Sequence, residues 1–361
     1  MAEANSDTEY RDNFPEGPQQ RRDCVIVDTN VLRSSYLLKT AMGAALLFAI
    51  QRRNARLGWA EVIEDEIRKH ARRSAEESLQ KIREGLTAVG MLIGWRPDPK
   101  LPSSEEIDSA ISNRITELNP LLTRVGFTIE HARAALRPVN DEMPPNSSKN
   151  QQFKDSAVWE AILEIAATNR VHFVTEDNDF YEGRDRKTGR LAKELSNECH
   201  RAGLEVHVYP ELASCLEALR TATPRIDVGV VVAALNDPLR MIISPEAARR
   251  DFALGEMSNL SVSAFITERP TILAIKYEVV YSGIDISPQM PPRTEVSIRA
   301  SGNAQFDMAS AVASNLQLDH LQFRFVDAEG EHSSANVYIA ALSDSFAERL
   351  VPYRLKHPID L

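Results

Sequence analysis

A chain of 361 residues with 43% hydrophobic content suits two ordinary domains better than one, and it offers no run of about 18 apolar residues as a bilayer span. Three cysteines, Cys24, Cys199 and Cys215, have neither metal-ligand spacing nor the density of a disulfide framework, so a reducing, cytoplasmic setting is expected. A formal charge of −10 argues against an evenly basic coat, although local basic segments govern nucleic-acid contact more than the total does.

Residues 1–22 are polar, rich in acids, Asn, Gln and Pro, and lack the apolar core of a secretion signal; a disordered tail is expected. From 23 to 222, short apolar strands alternate with amphipathic helices, the pattern of a doubly wound α/β unit with a parallel sheet. The predicted order is strand Cys24–Asp28, a helical stretch Asn30–Ile50, strand Arg56–Ala60 and a long helix from Glu61 to about Val89. An insertion over about 90–150 reads as a helical cap. It holds a helix Ser104–Leu118 and ends in a proline-rich loop over Arg137–Asn150. Helix Phe153–Ala167, strand Val171–Glu176, helix Leu191–Ala202, strand Glu205–Val208 and helix Glu211–Arg220 complete the unit. After Thr223 the pattern turns to period two, in Ser261–Ile266, Thr271–Tyr281, Thr294–Ile298, Leu321–Val326 and Ala335–Ile339. That predicts a separate β-rich, α+β domain over 223–361 with no chemical motif.

The chemistry lies in acids scattered along the first unit. Asp28 ends the buried run Cys24–Val27, and Asp177 and Asp179 close the run Val171–Thr175. In open α/β sheets a site forms beyond the carboxyl ends of the strands, where both acids fall. Glu66 lies beside the buried face marked by Val62, Ile63 and Ile67, whereas Glu64 and Asp65 point elsewhere. Asp155 opens the helix that carries Val158, three residues on. Each acid alone has a plain explanation as a helix cap, a turn former or a solvated charge. Together, carboxylates at one spot either raise their own pKa values or gather hard divalent cations.

The succession V-I-V-D-T-N, an acid on the helix after the second strand, K-D on a later helix and V-T-E-D-N-D-F resembles the PIN-domain nucleases over about Asp23 to Arg220. That resemblance implies a doubly wound fold and an Mg²⁺ or Mn²⁺ site hydrolysing single-stranded RNA or, in related branches, DNA flaps. It implies Asp28, Glu66, Asp155 and Asp177 as catalytic metal ligands, Asp179 as an additional acid, and Asn30 and Thr175 as polar supports. The long insertion is similar to that of larger bacterial members, and the C-terminal part has no counterpart among them.

Phosphate contacts are expected from Lys149 and Lys154, from Arg184, Arg186, Lys187, Arg190 and Lys193 after the Asp177 loop, and from Arg52, Arg53 and Arg56. A solvated basic loop accounts equally well for the Arg184–Lys193 cluster. His172, on a strand, reads as a satisfied structural residue. The expected function is therefore a metal-dependent endoribonuclease. Its rivals are a structure-specific DNA nuclease and a catalytically idle module that binds RNA or protein. The expected partner is RNA or DNA and not a membrane; a homodimer and a protein partner on the C-terminal part stay open.

Overall fold

The computed structural model describes residues 21–95, 99–147, 151–219, 226–288 and 292–342. Most of the expected tail, Lys149 and the boundary near Thr223 lie outside the described residues.

Strands β1 (Arg22–Val27), β2 (Arg56–Ala60), β3 (Leu122–Val125), β4 (Asn169–Val174) and β5 (Glu205–Tyr209) form a parallel sheet in the order β3-β2-β1-β4-β5. β1 and β4 are its centre because their Val, Ile and Phe side chains are buried on both faces, as a sheet covered by helices on both sides requires. Their pairing runs from Arg22–Asn169 to Val27–Val174, so both strands end at the same level. The predicted doubly wound α/β architecture is the observed one.

Two expectations change in detail. The stretch Asn30–Ile50 is not one helix but α1 (Thr29–Ser34) and α2 (Ala41–Arg52). Between them Tyr36, Leu37 and Leu38 adopt positive φ of 49°, 57° and 60°. The buried Arg114 guanidinium donates to the freed Leu37 and Leu38 carbonyls at 2.9 Å each, and Gly43 lets the Leu38 backbone approach, since a Cβ there would lie 2.5 Å from Leu38 Cα. The insertion is not wholly helical either. Besides α4 (Ser104–Leu118) and α5 (Ile129–Asn140) it contributes β3, which pairs with β2 from Leu57–Leu122 to Ala60–Val125 and extends the sheet. A four-residue strand is too short to carry a legible alternation.

Helix α3 runs Glu61–Ile93, 33 residues, of which Ile63 and Ile67 are fully buried against the sheet. α6 (Phe153–Ala166) covers the sheet with Val158, Trp159, Ile162 and Ile165, and α7 (Lys193–Arg201) and α8 (Leu212–Ala218) complete the layers.

The C-terminal part is a second, antiparallel sheet: β6 (Phe252–Ile266), β7 (Ile272–Asp285), β8 (Thr294–Asp307), β9 (Val312–Asp327) and β10 (Gly330–Leu342), each paired with the next. Helix α9 (Val228–Ala248), which period-two reading did not reveal, buries Val231, Leu235, Leu239 and Ile243 against one face. By length and composition α9 could cross a bilayer. Its apolar stripe is used against the sheet, and Asp237, Arg240 and Glu246 interrupt the rest. Part of the opposite face, with Phe265 and Ala274, packs into the core of the parallel sheet's unit against α2.

Candidate active site

Asp28 stands at the junction of β1 and α1 because the strand ends there and the first helix needs a cap. Its N–H donates to Val174 O at 2.9 Å, and its Oδ1 accepts the Thr29 N–H at 2.7 Å. Its other oxygen, Oδ2, accepts the Thr175 hydroxyl from the end of β4 at 2.8 Å. Thr175 is held in turn: its N–H donates to Tyr209 O at 3.0 Å, and its carbonyl accepts the Tyr181 hydroxyl at 2.8 Å. The Thr175 hydroxyl also accepts the Asp177 N–H at 3.0 Å, so one side chain spans both acidic turns.

Glu66 reaches this group from the second turn of α3. Thr29 donates its hydroxyl to Glu66 Oε2 at 3.0 Å. The opposite oxygen, Oε1, faces Lys154 Nζ at 3.4 Å and His70 Nε2 at 3.6 Å. Glu64, by contrast, takes the Trp59 indole N–H at 2.7 Å and the guanidinium groups of Arg68 and Arg124, a packing role. Asn30 is exposed, and among the described residues its side chain has no hydrogen bond to these acids. The polar link expected of it is made by its neighbour Thr29, whose position between Asp and Asn in the sequence was the available signal.

Asp155 lies in the first turn of α6. Burial, and after it the negative charges of Asp177, Asp28, Glu66 and Asp179, push its pKa up to about 8. Its Oδ2 is buried without a hydrogen-bond partner. Burial also raises Asp28 to about 6, with Asp177 and Glu66 adding to the rise and the Thr175 and Thr29 donors opposing it. Asp177 is raised by burial and by Asp179, against its hydrogen bond from Asp179 N–H and the charge of Arg184. These mutual effects bring Asp28, Glu66, Asp155, Asp177 and Asp179 into one electrostatic neighbourhood at the carboxyl edge of β1 and β4. It is not a closed cage: among the described residues no three His, Cys, Asp or Glu side chains stand in metal-holding geometry.

The basic residues divide. Arg184 is a clamp, facing Asp179 Oδ1 at 3.4 Å and donating to Asn146 O at 3.0 Å, and so tying the loop before α6 to the turn after β4. Arg190 pairs with Glu182 at 2.7 Å. Arg186 and Lys187 lie on the same loop, with backbone N–H groups bonded to Asn178 and Asp185. Arg53 binds Asp23 and Leu219 O at the amino ends of the strands, and Arg56 binds Pro120 O. The opposite edge of the sheet therefore holds Arg53, and it is removed from the acids. His172 is satisfied by Tyr209 OH at 3.0 Å and Asp23 at 3.3 Å.

An all-oxygen set of carboxylates and hydroxyls, with one buried carboxylate oxygen unpartnered, fits a hard divalent cation rather than a soft one. Asp28, Asp155 and Asp177 share this neighbourhood with Glu66 and Asp179, without the geometry of a closed ligand set. No curated protein and no solved structure matches the chain. The family model described as PIN domain matches residues 25–180, a span that contains all five acids and both connecting threonines. Over residues 25–180 the chain therefore matches the PIN domain, and PIN domains are generally nucleases.

Proposed function

We propose that the chain is a metal-dependent endoribonuclease that hydrolyses phosphodiester bonds of single-stranded RNA, using Mg²⁺ or Mn²⁺ held by Asp28, Asp155 and Asp177, with Glu66 and Asp179 beside them. The observation that carries this reading is Asp155: its Oδ2 is buried without a partner, and burial, with four other acids adding to it, raises the carboxyl to about 8. Such a group costs stability unless a counter-charge joins it. A divalent ion held by Asp28, Asp155 and Asp177 would supply that charge and the Lewis acidity that phosphodiester hydrolysis needs. Thr175 and Thr29 fix the rotamers of Asp28 and Glu66, and no histidine acts as base. Arg186 and Lys187 on the loop after Asp179, and Lys154 one residue before Asp155, serve the phosphate backbone.

The internal pairing of Glu66 with Lys154 and of Asp179 with Arg184 is what a binding-only module would also display. One assay separates the readings: labelled single-stranded RNA, flap DNA and duplex DNA incubated with Mn²⁺, Mg²⁺ or chelator. The proposal expects RNA cleavage that needs the ion and is lost in Asp28→Asn and Asp155→Asn. Cleavage of flap DNA alone moves the substrate class, and activity untouched by both substitutions removes the site.

A further inference from the structure

The second sheet carries a row of polar residues that meets the first unit at Ser34 and Glu211. In register across three strands lie Lys276 on β7, Asn303 on β8 and Gln317 on β9, with Asp319 two residues beyond Gln317. Gln317 Nε2 donates to Ser34 O at 3.1 Å, and Lys276 pairs with Glu211. Asp319 receives Asn303 Nδ2 at 3.5 Å and feels the charges of Glu176 and Glu211. The row is itself fixed. Tyr277 donates its hydroxyl to Gln317 O at 2.8 Å, across Gly302, where a Cβ would lie 1.9 Å from that oxygen. The strands shift register between Ser301 and Gly302, the kind of irregularity that re-aims side chains beside a site.

The two partners of this row in the first unit, Ser34 and Glu211, lie next to the segments that carry the acids. Ser34 ends α1, whose other end is capped by Asp28. Glu211 follows Tyr209 by two residues, and Tyr209 O accepts the N–H of Thr175. Glu176 lies between Thr175 and Asp177. We propose that the second sheet is a positioning part of the active site: Gln317, through Ser34, holds α1, and Lys276, through Glu211, holds the segment after β5 on which Thr175 leans, so that Asp28 and Asp177 keep their places. Their action is through these elements and not by touching substrate, and the inference rests on the acids being the cleavage site.

The test uses the full chain with Gln317→Leu, Lys276→Met and Lys276→Arg. Hydrogen exchange of residues 29–34 and 175–181 is read first, then kcat and KM on RNA. Gln317→Leu and Lys276→Met are expected to speed exchange in those two segments at least several-fold while the α9 and β8 amides stay protected. They should lower kcat about tenfold with KM nearly unchanged, and Lys276→Arg should restore both. Unchanged exchange in the two segments, or a uniform rise along the whole chain, overturns the proposal. A wild-type protein without nuclease activity instead overturns the cleavage reading, and the exchange pattern still decides whether the sheet holds these segments.

Discussion

The Thr175 hydroxyl donates to Asp28 Oδ2 at 2.8 Å, so the end of β4 fixes the carboxylate that closes β1. Since the same oxygen accepts the Asp177 N–H at 3.0 Å, removing it frees two acids at once. Thr175→Val keeps the shape and deletes the hydroxyl, leaving a half-buried carboxylate short of a donor. Urea denaturation is expected to register a loss of about 1.5–3 kcal/mol, the range for a hydrogen bond to a charged group, while Thr175→Ser loses much less. Equal stability of Thr175→Val and wild type would show that the bond does not organise the site.

The acids set a pH dependence with a definite sign. Folding raises Asp155 from its ordinary 3.8 to about 8, and Asp28 to about 6. Between those values the folded chain holds protons that the unfolded chain has released. Stability of the metal-free protein therefore falls as pH climbs from about 4 towards about 8, and the loss is complete above the folded pKa values. Asp155→Asn removes the larger share. Denaturation at about pH 5 and about pH 8 should show a decline in wild type that is much smaller in the Asn variant, and parallel behaviour of the two proteins would contradict the shift.

Much of this site was legible before the structure. Asp28 and Asp177 were readable because each closes an apolar run, and strand ends of a parallel sheet converge by topology. Glu66 followed from helical phase against Ile63 and Ile67. What could not be read was whatever depends on distant partners. The break after Ser34 exists because Arg114, 77 positions from Leu37, supplies donors to two carbonyls, a relation no local propensity encodes. β3 is too short for periodicity, and α9 hides in an apolar stretch whose prolines, Pro238 and Pro245, argue against a helix. Thr29 rather than Asn30 bonds Glu66 because α1 turns Asn30 outward, a matter of phase in a six-residue helix.

The approach of α2 to the Leu38 backbone makes a second stability prediction. Any Cβ at Gly43 meets Leu38 Cα at 2.5 Å and its carbonyl carbon at 2.6 Å, backbone atoms that cannot swing aside. Gly43→Ala should destabilise the protein by about 1–3 kcal/mol despite the better helix propensity of alanine. A melting temperature equal to or above that of wild type would mean the α1–α2 turn is placed differently.

Basic residues on the loop after Asp179 should differ in their effect on RNA. Arg190 is paired with Glu182, and Arg184 is occupied by Asp179 and Asn146. On the proposed function, Arg186 and Lys187 are the expected phosphate ligands. Replacing both by Ala should weaken RNA binding and flatten the log–log salt slope by about 1.4, from about 0.7 for each contact on a single strand. Arg190→Ala should change the slope little. A reversed order, measured by fluorescence anisotropy across a salt series, would move the RNA path to another face.

The central claim is that Asp28, Asp155 and Asp177 together bind a divalent ion, and calorimetric titration of the purified protein with Mn²⁺ tests it without any substrate. The account predicts binding with proton release that weakens as pH drops below about 6 and disappears in both Asp28→Asn and Asp155→Asn. Absent binding at millimolar Mn²⁺, or binding that survives both substitutions, would contradict it.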